Sequence, residues 1–167
     1  MTVPELNKLK KTELRQELEK CCGSKTWIKK MMTAFPVSNK TSLLNTAKEY
    51  WKECNETDWL DAFSHHPKIG DVNSLKDKFA STAKWAMGEQ AGIQSATDTI
   101  IEEFAKQNAD YEKKFGFIFI VCATGKSALE MLEILKVRMK NKREKELKIA
   151  AAEQAKITII RLKKLMA

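Results

Sequence analysis

Apolar side chains recur every three to four positions along most of this chain, and that spacing predicts helices. Between Thr12, a candidate cap, and Gly23, a candidate stop, Leu14, Leu18, Cys21 and Cys22 fall on one side. Trp27, Met31 and Phe35 follow at steps of four and run up to Pro36. Leu44, Ala47, Trp51 and Cys54 make the next stripe. Asp58 can cap a short helix carrying Leu60 and Phe63, which must end near His66 because Pro67 pushes its predecessor out of the helical region. From Ser95 to Gly116, the spacing of Ile100, Ile101, Phe104, Asn108, Tyr111 and Phe115 is helical again. A long helical pattern then covers Ser127 to the end, with a break near Asn141.

Only Phe117–Ala123 reads as a strand, and one strand cannot make a sheet. The expected architecture is therefore all-α: a single-domain multi-helix bundle over 1–167, with one extended apolar segment at about 117–123. Extended backbone inside a helical bundle has no ladder partner, so its N–H and C=O groups need something else to bind. A ligand rich in amide-like groups would serve, which makes this segment a candidate binding wall. The Gly125-Lys126-Ser127 that follows imitates the end of a phosphate-binding loop. Such a loop needs a glycine five positions before Gly125, where this chain has Ile120. Nucleotide binding is therefore not expected.

Composition narrows the picture further. Six glycines and three prolines in 167 residues are few for an all-β or loop-rich protein. The net charge of +8 is local: residues 136–167 hold 11 of the 30 basic residues and only 3 of the 22 acidic ones. A basic helix can touch nucleic acid, but no aromatic residues interleave these charges, so a solvated face is expected. Of the four cysteines, Cys21, Cys22, Cys54 and Cys122, none forms a C-x-x-C pair, and reduced buried thiols are expected rather than a metal site. No leader pattern, membrane-spanning apolar run or Ser-Lys-Leu ending is visible, so the expected location is the cytoplasm, with neither membrane nor nucleic acid as a partner.

Three stretches carry candidate chemistry. "SHHPKIGD", 64–71, holds both histidines, and His66 before Pro67 is restrained at a helix end. A fixed imidazole can give or take a proton, while the plain alternative is a surface turn with two incidental histidines. "WAMGEQAG", 85–92, sets Glu89 and Gln90 among small and apolar residues. That suits a carboxylate orienting an imidazole and a carboxamide reading an amide-bearing ligand, or an ordinary exposed helix. In the last helix, at about 100° per residue, Arg161 falls between Ile157 and Leu165 within the apolar arc. A guanidinium there needs an anionic partner, either a structural Glu or a carboxylate substrate.

In order along the chain, "CCGSKTWIKKM", "SHHPKIGD", "WAMGEQAG", "KFGFIFIVCATGKSALEML" and "AAAEQAKITIIRLKKL" resemble the successive motifs of 2-oxo-4-hydroxy-4-carboxy-5-ureidoimidazoline (OHCU) decarboxylases. The resemblance implies an all-α homodimeric lyase of urate breakdown that forms (S)-allantoin without metal or organic cofactor. It also implies functional association with other enzymes of that pathway. By the same resemblance, His66 is the catalytic acid/base with Glu89 beside it. Pro67, Ala86, Gln90, Phe119, Ile120, Val121, Cys122, Ala123 and Arg161 bind substrate. Two positions depart from the pattern: Ala86 stands where many relatives have serine, and Ile118 where they often have proline.

Overall fold

The structure, a computed structural model, describes residues 1–66, 73 and 91–167, and within 91–97 only the backbone. Eight helices and no strand occur among the described residues. In order they are α1 (Val3–Lys8), α2 (Lys11–Cys21), α3 (Lys25–Ala34), α4 (Lys40–Lys52), α5 (Glu56–Ser64), α6 (Ala91–Phe115), α7 (Ala128–Arg138) and α8 (Arg143–Leu165). The expected all-α class holds, and so does the break near Asn141, which separates α7 from α8. The chain divides into two compact units, Met1–His66 with Leu147–Ala167, and Pro67–Glu146.

In the first unit, α3 packs against α2, α4 and α5. Its Trp27, Ile28 and Met31 are buried, as are Leu14, Leu18 and Cys21 of α2. Large apolar side chains removed from water in this way contribute about 1.5–3 kcal/mol each. Trp27 and Trp51 stay buried because their indole N–H groups donate to the carbonyls of Ala47 (3.1 Å) and Ala151 (2.9 Å). The latter bond ties α4 to α8. Asn7 closes the loop after α3, donating to the Val37 carbonyl and accepting from its N–H at 2.8 and 3.0 Å.

Several helix starts lie one to three residues from their expected places, each for a local reason. Asn55, not Asp58, caps α5: its side chain accepts from Asp58 N, while the Asp58 carboxylate reaches back to Asn55 N. Thr12 lies inside α2, which opens after Lys10, whose N–H donates to the Glu13 carboxylate at 2.9 Å. The buried line of α4 is Leu43, Ala47 and Trp51, so Leu43 takes the place expected for Leu44.

In the second unit, α6 packs against α7. Gly116, at φ +78°, ends α6 in the left-handed conformation that glycine adopts without strain, and its N–H donates to the Glu112 carbonyl. Residues 117–123 then run without regular secondary structure, so the stretch that reads as a strand forms none. The Gly-Lys-Ser sequence is a turn and a cap. Gly125 takes φ +75°, Lys126 donates to the Cys122 carbonyl (2.9 Å), and Ser127 forms a capping box with Glu130 at the start of α7.

Candidate active site

The α5 helix ends in the histidine pair, where the N–H groups of His65 and His66 bond back to Ala62 and Phe63. The two rings then serve different purposes. His65 lies against Gly23 so closely that a Cβ there would come within 2.3 Å of the ring, which is why only glycine fits. Its Nε2 is 3.7 Å from Asp61, whose other carboxylate oxygen accepts from Lys25 N at the start of α3. His65 is thus built into the α3–α5 junction.

His66 turns toward α8, where its Nε2 lies 2.5 Å from the side-chain oxygen of Gln154. Gln154 is wholly buried, and its amide nitrogen donates to the Thr158 hydroxyl at 3.2 Å. That hydroxyl donates in turn to the Gln154 backbone carbonyl at 3.0 Å. Cys22 lies beside the Thr158 side chain and is itself wholly buried. Burial pushes the Cys22 thiol up to about 11, against bonds from Ser24 and Thr158 and the nearby charge of Arg161, so it stays protonated at neutral pH. Cys21 is likewise raised to about 11 by burial.

Arg161 departs from its expected surroundings. Gln154, Thr158 and Leu162 form the buried line of α8, and Arg161 lies on its flank, partly exposed. Its guanidinium donates to the Lys20 carbonyl at 3.4 Å. Among the described residues no carboxylate pairs with it. Lys140, Lys142, Lys145 and Lys148 are exposed, as a solvated basic face requires.

The second unit contains the expected wall residues. Ile120 and Cys122 are buried, and Phe119, Val121 and Ala123 partly so. Here the chain supplies backbone partners from its own side chains. Arg138 Nη1 donates to the Ile120 carbonyl at 2.7 Å, and the guanidinium lies 4.6 Å from the Phe119 ring centroid. Arg138 is itself buried and paired through Nε with Glu146 at 2.6 Å. The Glu146 carboxylate also accepts from the Tyr111 hydroxyl (2.6 Å) and Asn141 (2.9 Å). Burial first, and then the bond to Glu146, hold the Tyr111 phenol far above its usual range, so it remains a donor. The rings of Phe115, Phe117 and Phe119 pack around Tyr111 with centroids 4.6–5.8 Å away.

Pro67, Ala86, Glu89 and Gln90 lie outside the described residues. Two groups that the sequence reading did not single out are the Gln154–Thr158 pair and the Arg138–Glu146–Tyr111 cluster. Gln154 was open to detection as a polar residue in line with Ala150, Thr158 and Leu162. Nothing local distinguishes Arg138 from its basic neighbours.

The family model for OHCU decarboxylase matches residues 7–163. Over 151 residues the chain is 42% identical to the "Uric acid degradation bifunctional protein TTL" of Arabidopsis thaliana, covering 89% of this chain and 46% of that protein. It is 24% identical over 168 residues to the 2-oxo-4-hydroxy-4-carboxy-5-ureidoimidazoline decarboxylase of Halalkalicoccus jeotgali, covering 99% of this chain and 92% of that one. Among solved structures, an OHCU decarboxylase crystallised in the presence of (S)-allantoin superposes with a TM-score of 0.72 at 41% identity, covering 90% of this chain and 96% of that chain. The chain spans less than half the length of the first curated relatives it matches, 46%, 32% and 32%. No helix among the described residues is long and apolar enough to cross a membrane. With matching sequence from residue 7 to residue 163 and an all-helical structure to accompany it, this chain belongs to the OHCU decarboxylase family.

Proposed function

We propose that this chain, acting over 1–167 as one catalytic domain, decarboxylates OHCU to (S)-allantoin with stereospecific protonation. The bond from the ring carbon to its carboxylate breaks, CO2 departs, and the electron pair left behind delocalises into the adjacent C=N or carbonyl system. His66 then delivers a proton to one face of that carbon, with Glu89 orienting the imidazole. Donors among the Phe119–Ala123 backbone and the Gln90 side chain stabilise the developing charge and read the ureido amides. Arg161, partly exposed beside the buried line of α8, meets an anionic part of the substrate, and Pro67 and Ala86 complete the pocket. No metal or organic cofactor takes part in this reading. A homodimer working in the cytoplasm beside other urate-pathway enzymes is part of the same proposal.

The observation that carries it is a restrained His66 imidazole in a chain that follows the family over residues 7–163. The test is optical activity after adding the protein to freshly generated OHCU, since uncatalysed decay gives racemic allantoin. Rapid formation of the (S) product is expected, and His66→Asn should lower the rate about 10²–10⁴-fold. Racemic product at the uncatalysed rate would overturn the proposal. Activity abolished by a chelator and restored by zinc would overturn its metal-free part.

A further inference from the structure

Two carbonyls of the irregular stretch between α6 and α7 are held by cations of the same unit. Arg138, at the end of α7, donates from Nη1 to the Ile120 carbonyl at 2.7 Å. Lys126 donates from Nζ to the Cys122 carbonyl at 2.9 Å. Both cations are themselves restrained. The Arg138 guanidinium is buried, fixed through Nε by Glu146 at 2.6 Å and set against the Phe119 ring. Glu146 in turn is fixed by Tyr111 and Asn141. Lys126 is half-buried, and it follows the turn at Gly125, where its own N–H donates to the Ala123 carbonyl at 3.1 Å.

A carbonyl held in this way fixes its whole peptide group. That group is planar, and in the trans form its C=O and N–H point in opposite directions. Among the described residues the only cis bond is Phe35–Pro36, so the groups joining Ile120 to Val121 and Cys122 to Ala123 are trans. Pinning the Ile120 carbonyl to Arg138 therefore turns the Val121 N–H away from the guanidinium. Pinning the Cys122 carbonyl to Lys126 turns the Ala123 N–H away from the ammonium. A hydrogen bond accepted at the C=O also polarises the peptide and strengthens its N–H as a donor, by about 10–30% per bond. Charged donors are the stronger ones. Among the described residues neither N–H donates to another group of this chain. Two positions apart, they are oriented donors suited to an acceptor that gains negative charge.

We propose that Arg138 and Lys126 are positioning residues, which hold the Ile120 and Cys122 carbonyls so that the Val121 and Ala123 N–H groups donate to the charge developing on the substrate. The role of those two N–H groups rests on the decarboxylase reading above; the clamps on the carbonyls do not. Neither side chain touches a reacting atom, and each acts only through the peptide group it holds. The acceptor that such donors fit is an oxygen or nitrogen of a conjugated anion, the form that holds the electron pair after CO2 leaves.

The test combines backbone NMR with kinetics. The Val121 and Ala123 ¹⁵N signals, with the Ile120 and Cys122 carbonyl ¹³C signals, report the bond that each peptide accepts. Lys126→Met keeps the aliphatic stem and loses the donor. It should move the Cys122 and Ala123 signals, leave those of Ile120 and Val121 in place, and lower kcat about 3- to 10-fold with KM within about 2-fold. Lys126→Arg retains a donor and should keep kcat within about 2-fold of wild type. Arg138→Lys keeps a cation for Glu146, but one ammonium cannot span Glu146 and Ile120 as the planar fork does. It should move the Ile120 and Val121 signals and lower kcat about 10- to 10²-fold. A lower urea midpoint with unmoved signals and unchanged kcat in both Lys126→Met and Arg138→Lys would mean a purely structural role and overturn the inference. So would moved signals with wild-type kcat. If Arg138→Lys does not fold, the two Lys126 variants decide. An inactive wild type whose signals still respond to the variants would overturn the decarboxylase reading and spare the clamps. An active wild type with kcat indifferent to both positions would do the reverse.

Discussion

The two units each bury a polar cluster, and the clusters are built on opposite electrostatic plans. In the second unit, Arg138 and Glu146 form an ion pair of which 6% and 0% of the side chains are exposed, with Tyr111, Asn141 and the Ile120 carbonyl completing its bonds. In the first unit, the described bonds run from His66 through Gln154 to Thr158, with no carboxylate or permanent cation among these three side chains. Buried charges attract strongly but are costly to desolvate, so such a pair secures geometry more than it adds net stability. That suits a guanidinium which must hold an irregular backbone stretch by a carbonyl and a ring. A neutral chain is cheaper to bury and instead orders protons, because each member has a fixed supply of donors and acceptors. Charge fixes the backbone in one place, and donor count orders the amide and the hydroxyl in the other.

Breaking the charged cluster should produce the largest change. Glu146→Leu leaves Arg138 buried without its carboxylate and Tyr111 without its acceptor, an expected loss of about 3–5 kcal/mol in urea unfolding. Adding Arg138→Met should recover much of that stability, because no lone charge then remains. It should not recover turnover, since the Ile120 carbonyl and the Phe119 ring would still lack the guanidinium. A double variant with wild-type kcat/KM would show that Arg138 contributes nothing to the 117–123 segment beyond stability.

The difference between the clusters also accounts for what the sequence revealed. Seven of the eight described helices were legible because stripes such as Leu14–Leu18, Trp27–Met31 and Phe104–Tyr111–Phe115 repeat with the helical period, whereas α1, a six-residue helix with only Leu6 buried, shows no such repeat. The expected cap Asp58 and stripe residue Leu44 give way to Asn55 and Leu43, neighbouring candidates one to three residues off. Arg161 was set in an apolar arc about half a turn wide; the buried line through Gln154, Thr158 and Leu162 is narrower and leaves it on the flank. His66 could be singled out from Pro67 beside it. Its partner Gln154 lies 88 residues away, and Arg138 finds Tyr111 across 27, pairings that no local pattern encodes.

A matched pair of hydroxyl deletions sharpens the contrast. Tyr111→Phe removes a donor to a buried carboxylate and should cost about 1.5–3 kcal/mol, the range for bonds to charged groups. Thr158→Val removes a hydroxyl from the neutral chain and should cost only about 0.5–1.5 kcal/mol, the range for neutral bonds. Equal losses in urea unfolding would mean that the charge of Glu146 adds nothing to the bond it accepts.

The smallest effect at neutral pH, and one that grows only in alkali, concerns Cys22. Burial raises its thiol to about 11, well above the ordinary thiol range that the unfolded chain recovers. Between those two values the unfolded chain has released the proton while the folded chain still holds it. Fewer protons are then bound in the unfolded state than in the native one, so stability falls as pH rises. The contribution is complete below about pH 8 and is lost progressively as pH climbs from the ordinary thiol range through about 11. The thiol is isolated by difference. Cys22→Ala carries a packing cost that does not depend on pH, and its unfolding midpoint should lie below wild type at pH 7. The gap should narrow steadily from pH 9 to pH 11, because only the wild type loses the thiol's contribution. A gap constant across that range would mean that the sulfur ionises as readily in the folded chain as in the unfolded one.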